Sequence, residues 1–570
     1  MKNRFVVIGV DGATFEIIQP LIEQQKLPNL KYLMKNGFFV KLRSIFPVNS
    51  PQAWSSIATG KNPGKHGIYH FTEKIPHQYG IRFVNASLRD GKPLWRLLSE
   101  QGKKVIAINV PITYPPEEID GVMVSGFDTP GIKNDYTYPS EIRNDIENLV
   151  GEYIIDLRLR NAVTHDKRDY VLRNLRLMEE KRLRIIKYLM KKYDWDFIMI
   201  VFSAADRVQH WFWKYMDIGH LNHDANEDER YKKAIYDIYQ FIDTLIGELV
   251  DELDNHTSIA VVSDHGFQRA TNKVFYINKW LKELGMLNLT DEANNSNIPI
   301  RGAVSELIFQ NCHKLKSYLA RLLPRQYKSF LKKTFPGLRS RVFTYLTFSR
   351  IDWSRTRAFS SEFYNSIYIN LKGREIVGIV QEGEEYRSVI SLLTEELYKL
   401  KDPQTGERII ENVYKAEDLY HGPNLSRAPD LLFTFKNGEY RVRQSHKVLN
   451  NPHANFLGEY ASETWASGKH HLDGIIILSG MNIRRDGQLI DPTILDITPT
   501  VLYALGCKIP SDIDGRVLEE AFHESFLKLN KLQYLTEVDD VVGEVDYKDI
   551  YSPEESKQIT ERLRGLGYIE

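Results

Sequence analysis

Two cysteines in 570 residues, Cys312 and Cys507, are too few for a disulfide scaffold, and their separation is not the spacing of zinc ligands. Two reduced thiols in a cytoplasmic protein are the expectation. An excess of one charge is also missing. Lys and Arg total 75 and so do Asp and Glu, so no overall field draws in a nucleic-acid polymer. Long apolar runs are absent. The chain passes from Met1-Lys2-Asn3-Arg4 into Phe5-Val6-Val7-Ile8-Gly9-Val10 and stops at Asp11, too short for a signal-peptide core and without a small-residue cleavage site. The longest interior stretch, near Phe197 to Ala205, falls well short of the ~20 residues that span a bilayer. A soluble protein with no transmembrane segment is expected. There is no internal repeat and no low-complexity tract. A content of 42% hydrophobic and 26% charged residues excludes a disordered chain, a collagen-like repeat and a coiled coil.

What is present is the grammar of an α/β protein. The length calls for several domains, or for one large domain carrying insertions. Continuous apolar strands are expected at Arg4 to Val10, Lys104 to Val110, Asp196 to Phe202, Ser258 to Ser263 and Gly474 to Ser479, with a shorter one starting at Met123. Helical patterns run from Ile17 to Asn36, Tyr231 to Leu253 and Ile497 to Leu505. Buried strands between helices indicate a large, mostly parallel sheet covered on both faces. The rhythm breaks between about Leu287 and Ala454. Within it, 301–350 carries eleven Lys and Arg against one acid, Glu306, with leucines at helical spacing. The organisation read from this is a main domain of 1–286 and 455–525 and an inserted cap region of 287–454 with a basic helical segment. A tail of 526–570 follows, acidic and then helical from Pro553 to Leu566.

Metal-ligand residues cluster at the strand ends, where open α/β sheets place their ligand crevice. Asp11 follows the first strand. Asp206 and His210 follow another and share a face if helical. Asp264 and His265 follow a Val-rich strand, and His470 comes just before the last one, so that a loop must carry it across the site. Carboxylates and imidazoles together suit zinc, or manganese. A nucleophile candidate is Ser50 in Val48-Asn49-Ser50-Pro51-Gln52-Ala53-Trp54. Its bland reading is a helix N-cap with proline at the first helical position. Its functional reading uses the same geometry, because helix N-terminal amides face anions; with Pro51 lacking an N–H, the donors would be Gln52, Ala53 or a side chain. His66 reads as a turn residue, Trp211 and Trp213 as core or pocket wall, and His421 as a cap-loop residue or a substrate contact.

The order Asp11, Ser50, then Thr59-Gly60-Lys61-Asn62-Pro63-Gly64-Lys65-His66-Gly67, Asp206-x3-His210, Asp264-His265-Gly266 and His470 resembles the alkaline phosphatase superfamily. Within it the chain is similar to the type I phosphodiesterase/nucleotide pyrophosphatase branch, and more narrowly to bacterial predicted phosphohydrolase/phosphomutase proteins. The segments Asn109 to Pro116, Gly126 to Pro130, Tyr420 to Pro423, Ala428 to Leu431 and Asp496 to Thr500 support the narrower likeness. The resemblance implies an alkaline-phosphatase-like fold and two divalent metal ions, zinc or manganese. One would be held by Asp11, Ser50, Asp264 and His265, the other by Asp206, His210 and His470. Ser50 would form a phosphoseryl intermediate.

Two departures bear on substrate. Nucleotide pyrophosphatases place an Asn after the nucleophile to hold a phosphoryl oxygen, and none follows Ser50 until Asn62. Asn49, Asn109 and Lys61 are the substitute substrate contacts. Pro51 also removes the amide that relatives use beside the nucleophile. A sulfatase-type motif is not formed, since Gln52 and Trp54 stand where Pro or Ala and Arg would be needed. The resulting expectation is a two-metal phosphoric-ester hydrolase acting on a small phosphorylated substrate, with peripheral membrane contact through the basic segment left open. Alternatives are a phosphomutase or phosphomonoesterase of the same superfamily, and a non-catalytic phospholigand-binding protein.

Overall fold

A computed structural model describes residues 3–75, 79–157, 159, 167–290, 350–360, 365–459, 466–536 and 551–566. The basic segment, apart from Arg350, and the acidic run 537–549 lie outside the described residues. Eight strands form the main sheet: β1 (Arg4–Val10), β2 (Gly37–Arg43), β3 (Val105–Ile108), β4 (Gly121–Val124), β5 (Thr137–Tyr138), β6 (Phe197–Phe202), β7 (Thr257–Val262) and β8 (Asp473–Ser479). Their order across the sheet is β2-β8-β7-β1-β6-β3-β4-β5. The five central strands from β7 to β4 run parallel, while β8 and β5 are antiparallel to their inner neighbours.

The apolar runs are continuous because both faces are covered. On β1, Val6, Ile8 and Val10 enter one core, while Phe5 and Val7 enter the other. The first core takes helices Phe15–Glu23, Pro28–Lys35, Arg168–Lys192, α2 (Ala204–Met216) and Ala234–Val250. The second takes α1 (Ser50–Thr59), Leu94–Glu100 and Ile497–Ala504. The sheet is therefore α/β and mostly parallel, as its apolar runs imply. The pattern expected as one helix from Ile17 to Asn36 is two helices. Gln25 sits at φ 59° between them, and Pro28 opens the second at a position that suits proline.

The described part of 273–459 has its own core, in which Phe275, Trp280, Ile367 and Phe433 are buried. A four-stranded antiparallel sheet, Ala358–Phe359, Ser366–Ile369, Leu431–Phe435 and Ile410–Lys415 in that order, packs there with helix Glu384–Lys399. At the other end of the chain, helix Pro553–Leu566 docks on the main body. Ile559 and Leu563 enter the first core, and Arg562 donates to the carbonyls of Thr129 and Pro130 at 2.6 and 3.0 Å. No helix among the described residues is long and apolar enough to cross a membrane.

One contact seats α1 on the sheet, and a second ties it to the turn that follows it. A Cβ at Gly9 would lie 2.4 Å from Cη2 of the buried Trp54, so a bare Cα in β1 is what lets the indole pack flat on the strand. His66, fully buried, accepts the Ile68 N–H at Nδ1 (3.1 Å), which leaves Nε2–H to donate to Ser56 Oγ at 2.9 Å. Burial foremost, with Arg89 nearby, pushes the His66 pKa down to about 3.

Substituting Gly9→Ala overpacks this seat, and chemical denaturation should show a loss of about 1–3 kcal/mol; unchanged stability would contradict the packing. For His66, the unfolded chain binds a proton below about pH 6.5, whereas the folded chain refuses it until about pH 3. Stability therefore falls as pH drops through that window, because there the unfolded state holds more protons. The pH slope of unfolding free energy between pH 4 and 6 should be shallower in His66→Gln than in the parent by close to one proton; equal slopes would mean that His66 titrates normally.

Candidate active site and metal centre

The three central strands β7, β1 and β6 end level with one another: Gly9 pairs with Val262 and Val10 with Phe202. Each end releases ligand-type side chains. Asp11 follows β1, Asp264 and His265 follow β7, and Asp206 and His210 lie on α2 just after β6, one turn apart. His470 arrives differently from the expected loop. It sits on strand Gly468–His471, which pairs antiparallel with Gly266–Arg269, so that Phe267 faces His470. A two-stranded ribbon growing from the end of β7 thus carries it over the site. The ribbon lies close on α2, since a Cβ at Gly468 would come within 2.5 Å of Gln209 O.

The side chains form two sets, Asp206 with His210 and His470, and Asp11 with Asp264 and His265. In the first set, His210 Nε2 and His470 Nε2 are 3.1 Å apart, and Asp206 Oδ1 lies 3.4 and 3.2 Å from them. In the second, His265 Nε2 lies 3.3 Å from Asp264 Oδ2, 3.7 Å from Asp11 Oδ1 and 3.3 Å from Ser50 Oγ. Tetrahedral zinc with ligand bonds of about 2.0–2.1 Å has ligand–ligand edges of about 3.3–3.4 Å. The His265 and His470 rings stack at 3.7 Å between centroids, which makes the two sets neighbours.

Hydrogen-bond partners fix the state of the imidazoles. Nδ1 of His265, His210 and His470 faces the carbonyl of Gly266 (3.0 Å), Gly468 (3.2 Å) and Val48 (3.3 Å) respectively. A carbonyl only accepts, so each Nδ1 carries a proton and each Nε2 is the nitrogen turned toward the centre, the orientation found behind metal-bound imidazoles. Burial holds the His265 pKa well below its usual value and also lowers that of His210.

The carboxylates are crowded. Burial, with Asp264 and Asp206 close by, pushes the Asp11 pKa well above the carboxylate range, and burial with Asp206 pushes Asp264 up to about 8. Asp206 is held well below its usual value: burial opposes its charge, but His210 and Arg207 outweigh it. Neither oxygen of Asp11, nor Oδ2 of Asp264, has a hydrogen-bond partner among the described residues. Buried oxygens of this kind, set beside the Nε2 atoms, are costly alone and are satisfied by cations. The donor set present here therefore fits two divalent ions.

Ser50 is the first residue of α1, with Asn49 rather than Ser50 as N-cap. Asn49 Oδ1 accepts the Gln52 N–H at 3.1 Å and Asn49 O accepts the Ala53 N–H at 3.0 Å. The two amides expected to meet an anion are thereby committed, while the Ser50 hydroxyl is left to face His265. The Asn49 amide donates to the carbonyls of Pro47 and Tyr69 and to Gln52 Oε1. Lys61 is ion-paired with Asp512. Asn109, at φ 57° just beyond β3, donates to Val201 O at 2.9 Å, and its Oδ1 has no partner among the described residues. His421 lies 2.9 Å from Asp514 Oδ1, and Trp211 and Trp213 belong to the first core.

Several contributors carry no signal in the sequence. The Phe267 ring packs edge-on against His210 (4.8 Å) and His470 (5.5 Å), walling the site. Gln209 donates to Gly12 O at 2.9 Å and accepts from the Tyr239 hydroxyl, which in turn accepts the Thr14 N–H, fixing the turn after Asp11. Gly12, at φ 69°, has Asp206 and Phe267 where a Cβ would sit. A motif marks Asp206 and His210; nothing marks Gln209 between them except its position one residue before the histidine.

No curated protein matches the chain. Among solved structures, phosphonoacetate hydrolase from Sinorhizobium meliloti 1021 is similar in its complexes with phosphonoformate and with phosphonoacetate. The TM-score is 0.53 in both, identity is 13% and 12%, and the match covers 88% of this chain and 95% of that one. Human ectonucleotide pyrophosphatase/phosphodiesterase 5 gives 0.45 at 12% identity, over 89% of this chain and 95% of its own. At such identity the likeness to the hydrolase is one of fold. The family model described as type I phosphodiesterase / nucleotide pyrophosphatase matches residues 5–473. That span begins in β1 and closes just past His470, taking in both ligand sets and Ser50, and it makes this chain a member of the type I phosphodiesterase / nucleotide pyrophosphatase family of phosphoester hydrolases.

Proposed function

We propose that the protein is a two-metal phosphoric-ester hydrolase that acts through a phosphoseryl intermediate on Ser50, with a small phosphorylated compound as substrate. The observation that carries the reading is the pair of donor sets with zinc-like edges, one of which has Ser50 Oγ 3.3 Å from a ligand nitrogen. Asp11, Ser50, Asp264 and His265 would hold one ion and Asp206, His210 and His470 the other, and three imidazoles among the donors favour zinc. When bound, the ions supply charge neutralisation, polarise the phosphoryl group and make a hydroxyl or water easier to deprotonate.

The chain's own groups do the rest. Asn49 caps α1 and fixes its first turn, so the Ser50 side chain meets the site in one orientation. Ser50 Oγ loses its proton to solvent and attacks phosphorus, the O–P bond forms as the bond to the leaving oxygen breaks and that oxygen takes a proton from solvent, and water then cleaves the serine ester, restoring the Ser50 hydroxyl and releasing phosphate or a phosphomonoester. Asn109 is the candidate for holding a phosphoryl oxygen. The described part of the cap region, 287–290, 350–360 and 365–454, would wall the substrate space from above. Its Tyr420 hydroxyl donates to Phe46 O at 2.6 Å and packs edge-on against Tyr69, so the cap touches the segment leading into Ser50.

Protein quenched during turnover of a chromogenic phosphodiester in the presence of zinc should carry a phosphoryl adduct on the peptide containing Ser50. Ser50→Ala should lose the adduct and at least about 10³-fold in kcat while binding metal through the remaining donors. An adduct on Ser55, Ser56 or Thr59, or an Ala variant of parental activity, would refute the assignment.

A further inference from the structure

Beneath Asp206 lies a chain of buried charges that neither donor set uses. Arg207, 1% exposed, follows Asp206 on α2 and donates through Nη1 to Asp206 Oδ2, the oxygen turned away from the imidazoles. The rest of its guanidinium is bidentate on Asp156, with Nη2 2.8 Å from Oδ2 and Nε 3.3 Å from Oδ1. Both side chains are 1% exposed. The backbone next to Asp156 is held in turn: Arg182 Nη2 donates to Ile155 O at 2.9 Å, and its Nη1 donates to Glu179 at 2.7 Å and to Ser203 Oγ at 2.9 Å. Glu179 Oε1 accepts the N–H groups of Ser203 and Ala204 at 2.8 and 2.7 Å, capping the start of α2 from a helix 24 residues upstream. The series runs from Glu179 through Arg182, Asp156 and Arg207 to Asp206, and none of these residues is ligand-type toward the centre except the last.

Burying three ion pairs is a poor way to gain stability, because desolvation offsets their attraction. What such a series does provide is a fixed position. A carboxylate free on both oxygens can turn, bind a cation through either or both, or point away. With Oδ2 on Arg207, Asp206 offers Oδ1 alone, at 3.2 and 3.4 Å from the two Nε2 atoms. We infer that Arg207, braced by Asp156, is a positioning residue that holds Asp206 as a one-oxygen ligand and so sets the cation affinity of the Asp206/His210/His470 set and not of the other. The inference rests on the two-metal reading proposed above. Partners that orient metal ligands commonly contribute 10–100-fold in affinity.

The test is a zinc titration of the purified full chain against a chromogenic chelator, which reports binding constants without turnover. The parent should bind two ions. Arg207→Gln and Asp156→Asn should each weaken one constant by about 10–100-fold and leave the other as in the parent. Their effects should not add in the double variant, since both act through one guanidinium. Arg207→Lys, with a single point of charge that cannot span both carboxylates, should restore only part of the affinity. If the single variants keep both constants, or lose both equally, Arg207 and Asp156 do not act selectively and the inference fails. Should Arg207→Gln fail to fold, Asp156→Asn decides alone. A parent that binds no zinc would instead sink the two-metal reading and leave the role of Arg207 without an object.

Discussion

Three carboxylates and three imidazoles share one crowded space at the ends of β7, β1 and β6, and most of the molecule answers to that crowding. In water the acids would all be ionised. Here burial and mutual repulsion drive Asp11 and Asp264 toward the protonated form, while His210 and Arg207 hold Asp206 charged. The Nδ1 atoms of all three imidazoles are tied to backbone carbonyls, and burial lowers the pKa values of His210 and His265. Such a cluster is unfavourable by itself. Cations between the donors would turn the same atoms from a liability into a source of folding free energy, since anything that binds only the folded state stabilises it.

That constraint explains choices elsewhere. Gly9 admits Trp54 so that α1 can lie close on β1 and bring Ser50 beside His265. Gly12 leaves room for Asp206 and Phe267 in the turn after Asp11. The ribbon Gly468–His471 uses a glycine to lie against α2, which is how His470 reaches His210 across 260 residues of sequence.

Much of this was legible in the sequence. Apolar runs bounded by ligand-type residues located β1, β6, β7 and β8, and the parallel sheet followed from their continuity. Asp11, Asp206, His210, Asp264 and His265 could be read as strand-end residues from local pattern alone. What could not be read depends on distant pairing. His470 looked loop-borne because its strand exists only against Gly266–Arg269. Ser50 looked like a cap because the competition between adjacent Asn49 and Ser50 for the same amide is settled by the extended backbone of Asn49, at φ −153°. The Arg207–Asp156 bridge joins a helix to an irregular segment 51 residues away and has no periodicity to betray it. Lys61, a natural candidate for phosphate contact by proximity to Ser50, is instead ion-paired with Asp512, a partner some 450 positions on.

The most direct test is to see the ions. Crystals grown with zinc and measured at the zinc absorption edge should give two anomalous peaks, one among Asp11, Ser50, Asp264 and His265 and one among Asp206, His210 and His470. A single peak outside these sets, or none at saturating zinc, would contradict the account.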